Sequence, residues 1–191
     1  GLVSFLLIFT VKEDKEIVKQ NAREKGYTSL KDKIIPKWDE IIGKEVAHPA
    51  IIMFLYASIT GMYFLLVPDF STHLGIENKG LFFFLSLPVV IITRFVSGKF
   101  VDRIGAEKNI VAGLSVLILA CIATGTATTA THFLSSTFLF GFGTAIISPA
   151  IMAWTADSSD PIYKGRGMGT MFITLELGFF FGNFYGQIFY D

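Results

Sequence analysis

The sequence predicts an all-α fold, a polytopic bundle of helices that crosses a bilayer several times. Three observations predict it. Of the 191 residues, 52% are hydrophobic and only 17% are charged, where a soluble domain carries roughly 25% charge. The apolar residues are gathered into runs close to the roughly 20 residues that a helix needs to cross a hydrocarbon core. Runs such as VIITRFVSG and FLFGFGTAII lack the period-two alternation of a membrane β-barrel strand. A helix satisfies its own backbone polar groups, which lipid cannot do.

The elements follow in order. The opening run GLVSFLLIFTV, residues 1–11, is too short to cross a bilayer by itself and reads as the end of a transmembrane helix. Residues 12–48 form the long polar segment, with nine Lys/Arg, eight Asp/Glu and Pro36. Within it, Ile34, Trp38, Ile41 and Ile42 recur at helical spacing. They can lay a short amphipathic helix on the membrane with Trp38 at headgroup level; a solvated helix with a weak apolar stripe fits the same spacing. Five full spans follow at about 49–69, 80–97, 109–130, 133–155 and 168–190. Pro88 and Pro149 fall inside spans, where a proline bends a helix. The first residue is Gly and no signal peptide precedes it, so the chain reads as an internal piece of a longer protein.

Lys and Arg set the orientation. Segments 12–48, 98–108 and 157–167 hold fourteen of them, and they share one side if the five spans alternate. The connections on the other side hold Lys79 alone. The basic side is therefore expected to be cytoplasmic. Arg94, near the basic end of its span, is placed to snorkel to the surface.

Composition also excludes classes. Sixteen basic and sixteen acidic residues cancel, so no nucleic-acid footprint is visible. A lone cysteine, Cys121, allows neither an internal disulfide nor a cysteine metal cluster, and the three histidines are scattered. No metal or cofactor is expected, and no nucleotide-binding loop is seen. A membrane enzyme would need His, Asp or Arg clustered at one membrane face. The loop from Asp157 to Arg166 has no histidine and no evident base.

One polar interruption is informative. GKFVDRIGAEK, Gly98 to Lys108, packs Lys99, Asp102, Arg103, Glu107 and Lys108 between two apolar spans. Its glycines permit a tight reversal. Asp102 can accept from the amino end of a neighbouring helix, and Arg103 can bridge carboxylates or phosphates. The pattern Gly98-x-Phe100-x-Asp102-Arg103-x-Gly105 resembles the signature loop of the major facilitator superfamily. Phe100 stands where that family has Leu, and Ala106 and Glu107 replace its usual basic pair.

The resemblance implies a half of that transporter fold: residues 1–11 as the end of helix six, 12–48 as the central cytoplasmic loop, and the spans as helices seven to eleven, without a twelfth. It implies that Gly98, Asp102, Arg103 and Gly105 form a conformational switch, partly mirrored by the loop of Asp157, Asp160, Lys164 and Arg166. RGMGTMFITLELGFFFG, Arg166 to Gly182, is similar to the eleventh helix of arabinose-efflux-type bacterial permeases. The function implied is secondary active transport of a small solute by alternating access, proton-coupled and outward. Uptake permeases and transporter-like sensors share the framework. The implied partners are the solute, protons, the lipid bilayer and the N-terminal half of the same transporter, in a bacterial cytoplasmic (inner) membrane.

Glu176 is the leading candidate for chemistry. It lies about nine residues into its span, roughly 14 Å from the basic end. A carboxyl at that depth costs a few kcal/mol on insertion scales and marks function by default. It is a candidate for binding the coupling proton or a cationic solute; a structural hydrogen bond is the alternative. Asn183 and Gln187 share its helix face and either line a cavity or bind a neighbouring helix. Tyr56, Thr60 and Tyr63 share a face of the 49–69 span and offer hydroxyls and aromatic surface to a solute. Gly178, Gly182 and Gly186 form a separate ridge suited to close helix packing. Thr124, Thr126, Thr128, Thr129 and Thr131 are expected to bond backbone carbonyls.

Overall fold

In the computed structural model, residues 43–160 and 164–190 are described, with residues 97–104, 164, 189 and 190 as backbone alone. The predicted helix end over 1–11, the amphipathic stretch around Trp38 and most of the central loop lie outside the described residues. A short 3-10 turn, Lys44–Val46, leads into five helices: α1 Ala47–His73, α2 Leu81–Ile104, α3 Ala106–Gly125, α4 Ala130–Ser158 and α5 Lys164–Tyr190. No strand occurs among the described residues.

Each helix outruns its apolar core or shifts from it. The largest difference is at 98–108, expected to be a loop. There α2 continues through Ile104 and α3 begins at Ala106, so Gly105 alone makes the turn, at φ 89° and ψ 152°. Charged residues end a membrane span without ending a helix, because Lys, Arg and Glu are good helix formers. Only the glycine, free of a Cβ, takes the reversed backbone. Asn109 donates from Nδ2 to the Gly105 carbonyl at 2.8 Å. At the other end, α1 closes with a second reversed glycine, Gly75 at φ 73°. Gly75 N–H donates to Thr72 O at 3.0 Å and Ile76 N–H to Ser71 O at 2.9 Å, a Schellman pairing that satisfies the last carbonyls. The turn between the 109–130 and 133–155 spans falls earlier than their bounds, between Gly125 and Ala130, and the Thr129 hydroxyl caps α4 by accepting from His132 N–H.

Helix neighbours follow from small residues. The extensive contacts are α1 with α5, and α4 with both α2 and α3; α4 meets α1 and α5 over shorter stretches. Gly141 of α4 faces the Ser86 carbonyl and Val89 of α2, while Gly143, two residues on, faces Leu117 of α3. Two residues along a helix is a rotation of about 200°, so the pair brings neighbours onto opposite sides of α4. On α5, Gly178 and Gly182 lie on the backbone of α1 at Phe54 and Ser58. Lacking side chains, they let the two helix backbones approach closely.

The core between these layers is aromatic and aliphatic: Phe82, Phe133, Tyr63, Phe140, Leu117 and Ile147 are buried together. Outward, large apolar side chains stand exposed, Phe95 at 84%, as lipid solvation allows. Lys44–His73, Ala106–Gly125 and Ala130–Ser158 are long and apolar enough to cross a membrane, and α2 adds the shorter apolar stretch Leu81–Val96. α5 has the length, but its glycines, Glu176, Asn183 and Gln187 dilute its apolar character.

Candidate functional site

Two groups of candidate polar residues stand apart among the described residues. The first is around Tyr63. Tyr56, Thr60 and Tyr63 are all buried, but they have different surroundings. Thr60 donates its hydroxyl to the Tyr56 carbonyl one turn back, at 2.8 Å. Tyr63 reaches another helix: its hydroxyl donates to Thr124 Oγ1 of α3 at 3.1 Å. Thr124 in turn shares a 2.9 Å hydrogen bond with Ser136 of α4, and Ser136 bonds the Phe133 carbonyl at 2.7 Å. The Tyr63 ring is stacked on Phe140 with centroids 4.5 Å apart and lies 6.0 Å from Phe82. One residue therefore joins α1 to α2, α3 and α4.

Beside it lies a cavity of about 330 Å³, lined by Ser58, Met62, Val67, Cys121 and Thr124 together with Tyr63. This is within the size range of small-molecule sites. Neither Tyr56 nor Thr60 belongs to its lining. A second cleft, of about 550 Å³, opens where α1 and α3 begin and α4 ends, among His48, Ile52, Glu107, Leu114 and Trp154.

The second group lies on the free side of α5. Glu176 is exposed there, among Phe172, Ile173 and Phe180, which are exposed too. It lies about 200° around the helix from Gly178 and so points away from α1. Gln187 is exposed on the same stripe, whereas Asn183 is half-buried. Asn183 donates from Nδ2 to the Phe179 carbonyl at 2.8 Å and sits over Gly61 of α1. The stripe therefore divides: two polar groups stand outward and one is spent within its own helix.

Of the signature residues, Gly105 makes the α2–α3 turn. Gly98, Asp102 and Arg103 lie on the last turns of α2, where the structure describes the backbone alone. Two partnerships were not legible in the sequence. Thr124 stood among threonines expected to bond backbone carbonyls, and it meets Tyr63 instead. Glu45 pairs with Arg166, 121 residues away, a separation that local spacing cannot signal.

These are the features of a helical membrane bundle with polar groups set inside it, and the comparisons agree. A profile of the Major Facilitator Superfamily matches residues 1–183. The chain belongs to this superfamily. It is an integral membrane protein of a transporter family. Among curated relatives, Multidrug resistance protein 2 of Bacillus subtilis (strain 168) is 33% identical over 92 residues, 48% of this chain and 23% of that protein. Staphylopine export protein of Staphylococcus aureus (strain Mu50 / ATCC 700699) is 26% identical over 143 residues, 73% of this chain and 36% of its own length. The matched stretches thus span about a quarter and about a third of these superfamily members. No solved structure gives a significant match.

Proposed function

We propose that this protein exports a small solute across a bacterial cytoplasmic membrane by alternating access, driven by protons that load and leave at Glu176. The observation that carries the reading is the position of Glu176, a carboxyl exposed on an apolar face of a helix in a membrane transporter family. An acidic group facing lipid in mid-membrane costs several kcal/mol. Such a face is stable only against protein or an aqueous path, and a transport path supplies both. The N-terminal half of the transporter is the expected partner across it. Export as the direction is supported by the names of the two relatives, and a cytoplasmic side for 12–48, 98–108 and 157–167 is supported by their excess of Lys and Arg. In this reading Gly98, Asp102, Arg103 and Gly105 act as the switch between access states, and Tyr63 offers its hydroxyl and ring to the solute beside the cavity.

The test uses the full-length protein in energised inside-out vesicles with a panel of small solutes, comparing the parent with Glu176→Gln. Accumulation that collapses with the pH gradient and is lost in the variant is expected. Accumulation that survives the substitution removes Glu176 from coupling. Flux only in the inward direction replaces export with uptake, and no flux in either direction overturns transport.

A further inference from the structure

The start of α1 is held by residues far along the chain. Val46 is fully buried and Gly43 is buried beside it. Gly43 N–H donates to Thr170 Oγ1 of α5 at 2.8 Å, and Thr170 donates the same hydroxyl to the Arg166 carbonyl at 2.9 Å. Arg166 Nη2 makes an ion pair with Glu45 Oε1. A Cβ on Gly43 would meet Gly167 Cα at 3.3 Å, and one on Gly167 would collide with Ser159 at the end of α4 and stand 3.1 Å from Val46. Three backbone segments therefore meet here: the turn before α1, the end of α4 and the first turn of α5.

This meeting point differs from the other helix contacts. The α1–α5 seam is backbone on backbone along Gly178 and Gly182 and has no room for an added methyl there. Helix α4 is packed along its length on α2 and α3, and it reaches the α1–α5 pair over shorter stretches. At this end it does so through Ser159 and Gly167. The closing charges are only partly screened from water, with 21% of the Arg166 and 43% of the Glu45 side chain exposed.

We propose that Glu45–Arg166 and Gly43–Thr170 form a clasp that holds the turn before α1 on the first turn of α5, beside the end of α4, in one access state and releases it in the other. The proposal rests on the transport reading for what the two states are, and on the geometry alone for the clasp itself. A partly exposed ion pair is worth about 0.2–1 kcal/mol, enough to bias two states and weak enough to break on every cycle.

The experiment measures access without measuring transport. Val46→Cys is placed in the full-length protein with its other cysteines replaced, and its reaction rate with N-ethylmaleimide is followed in native membranes. Slow labelling is expected, rising about 1.5- to 5-fold when Glu45→Gln or Arg166→Gln removes the pair. Salt near 1 M, with a Debye length of about 3 Å, raises the rate in the parent but not in Glu45→Gln. The swap Glu45→Arg with Arg166→Glu returns it to slow. Ser159→Cys, in the same notch, gives the same readout if Val46→Cys does not reach the membrane. Rates indifferent to both neutralisations and to salt, or a swap that fails to restore slow labelling, overturn the clasp. A protein that labels as expected but moves no solute keeps the clasp and loses the transport reading.

Discussion

Gly182→Ala is the sharpest test of how the bundle is held. A Cβ at this position would overlap the Ser58 carbonyl oxygen and stand 2.8 Å from its carbon and 2.9 Å from its Cα. Ordinary carbon contacts lie at about 3.5–4.0 Å, so α1 must retreat by at least roughly 0.6 Å, and further at the oxygen. Every atom in the way is backbone, so no rotamer change relieves the overlap, and the whole α1–α5 seam must part. Overpacking costs about 1–3 kcal/mol, and a backbone collision belongs at the upper end. Gly186 is the internal control: its nearest neighbour, at 3.0 Å, is the Leu65 Cδ2 methyl, the end of a flexible side chain. Gly186→Ala is therefore expected to cost under about 1 kcal/mol. Thermal unfolding of the full-length protein in detergent, followed by loss of the monodisperse peak, should show Gly182→Ala lowering the midpoint by about 2–4 °C and Gly186→Ala leaving it nearly unchanged. Equal losses at the two positions, or none at Gly182, would refute the seam as described.

Further outcomes follow from other sites. Tyr63→Phe keeps the ring on Phe140 and loses the bond to Thr124, so the same unfolding assay should record a loss of about 0.6 kcal/mol, the average for hydrogen bonds between membrane helices; adding Thr124→Val should cost less than the two losses summed. Gly105→Ala has nothing within 4 Å of its new methyl, yet its backbone region is nearly exclusive to glycine, so a loss of about 1–3 kcal/mol from strain alone is expected. Gly75→Ala at φ 73° should lose about 1–2 kcal/mol, with the loss appearing as fraying at the end of α1 in hydrogen exchange.

The helices were legible because the bilayer offers a chain few alternatives to them, yet the expected 109–130 span runs past the end of α3 at Gly125 and across the connection to α4. Their ends were less legible. Hydropathy marks where α2 leaves lipid near Val96, but Lys99, Asp102 and Arg103 carry the helix on into water, and only Gly105 stops it. The shared face of Tyr56, Thr60 and Tyr63 could be read from their spacing, but not which neighbour would cover each. Thr60 closes on its own helix, while Tyr63 reaches across to Thr124 of α3. Likewise Glu176, Asn183 and Gln187 form one stripe by period, yet Gly61 makes room for Asn183 alone to turn inward. Neither Gly61 nor Glu45 carries any local sign of its partner on α5.

Among the described residues, the α1–α5 pair meets α2, α3 and α4 around Tyr63, and it meets the end of α4 beside the clasp. Tyr63 lies seventeen residues beyond Val46, about 26 Å at helical rise. Perturbations more than about 7–10 Å apart with no shared partner normally add within about 0.5 kcal/mol, so the stability losses of Tyr63→Phe and Glu45→Gln should add. Their effects on access should not be alike. If the two attachments are separate joints, Glu45→Gln speeds maleimide labelling at Val46→Cys and Tyr63→Phe leaves it alone, because α1 then pivots at one joint without disturbing the other. If Tyr63→Phe by itself opens the notch at Val46, α1 is acting as a rigid lever between them. The bond from Tyr63 to Thr124 would then govern a gap some 26 Å away, and the clasp would follow the far end of the helix instead of controlling the near one.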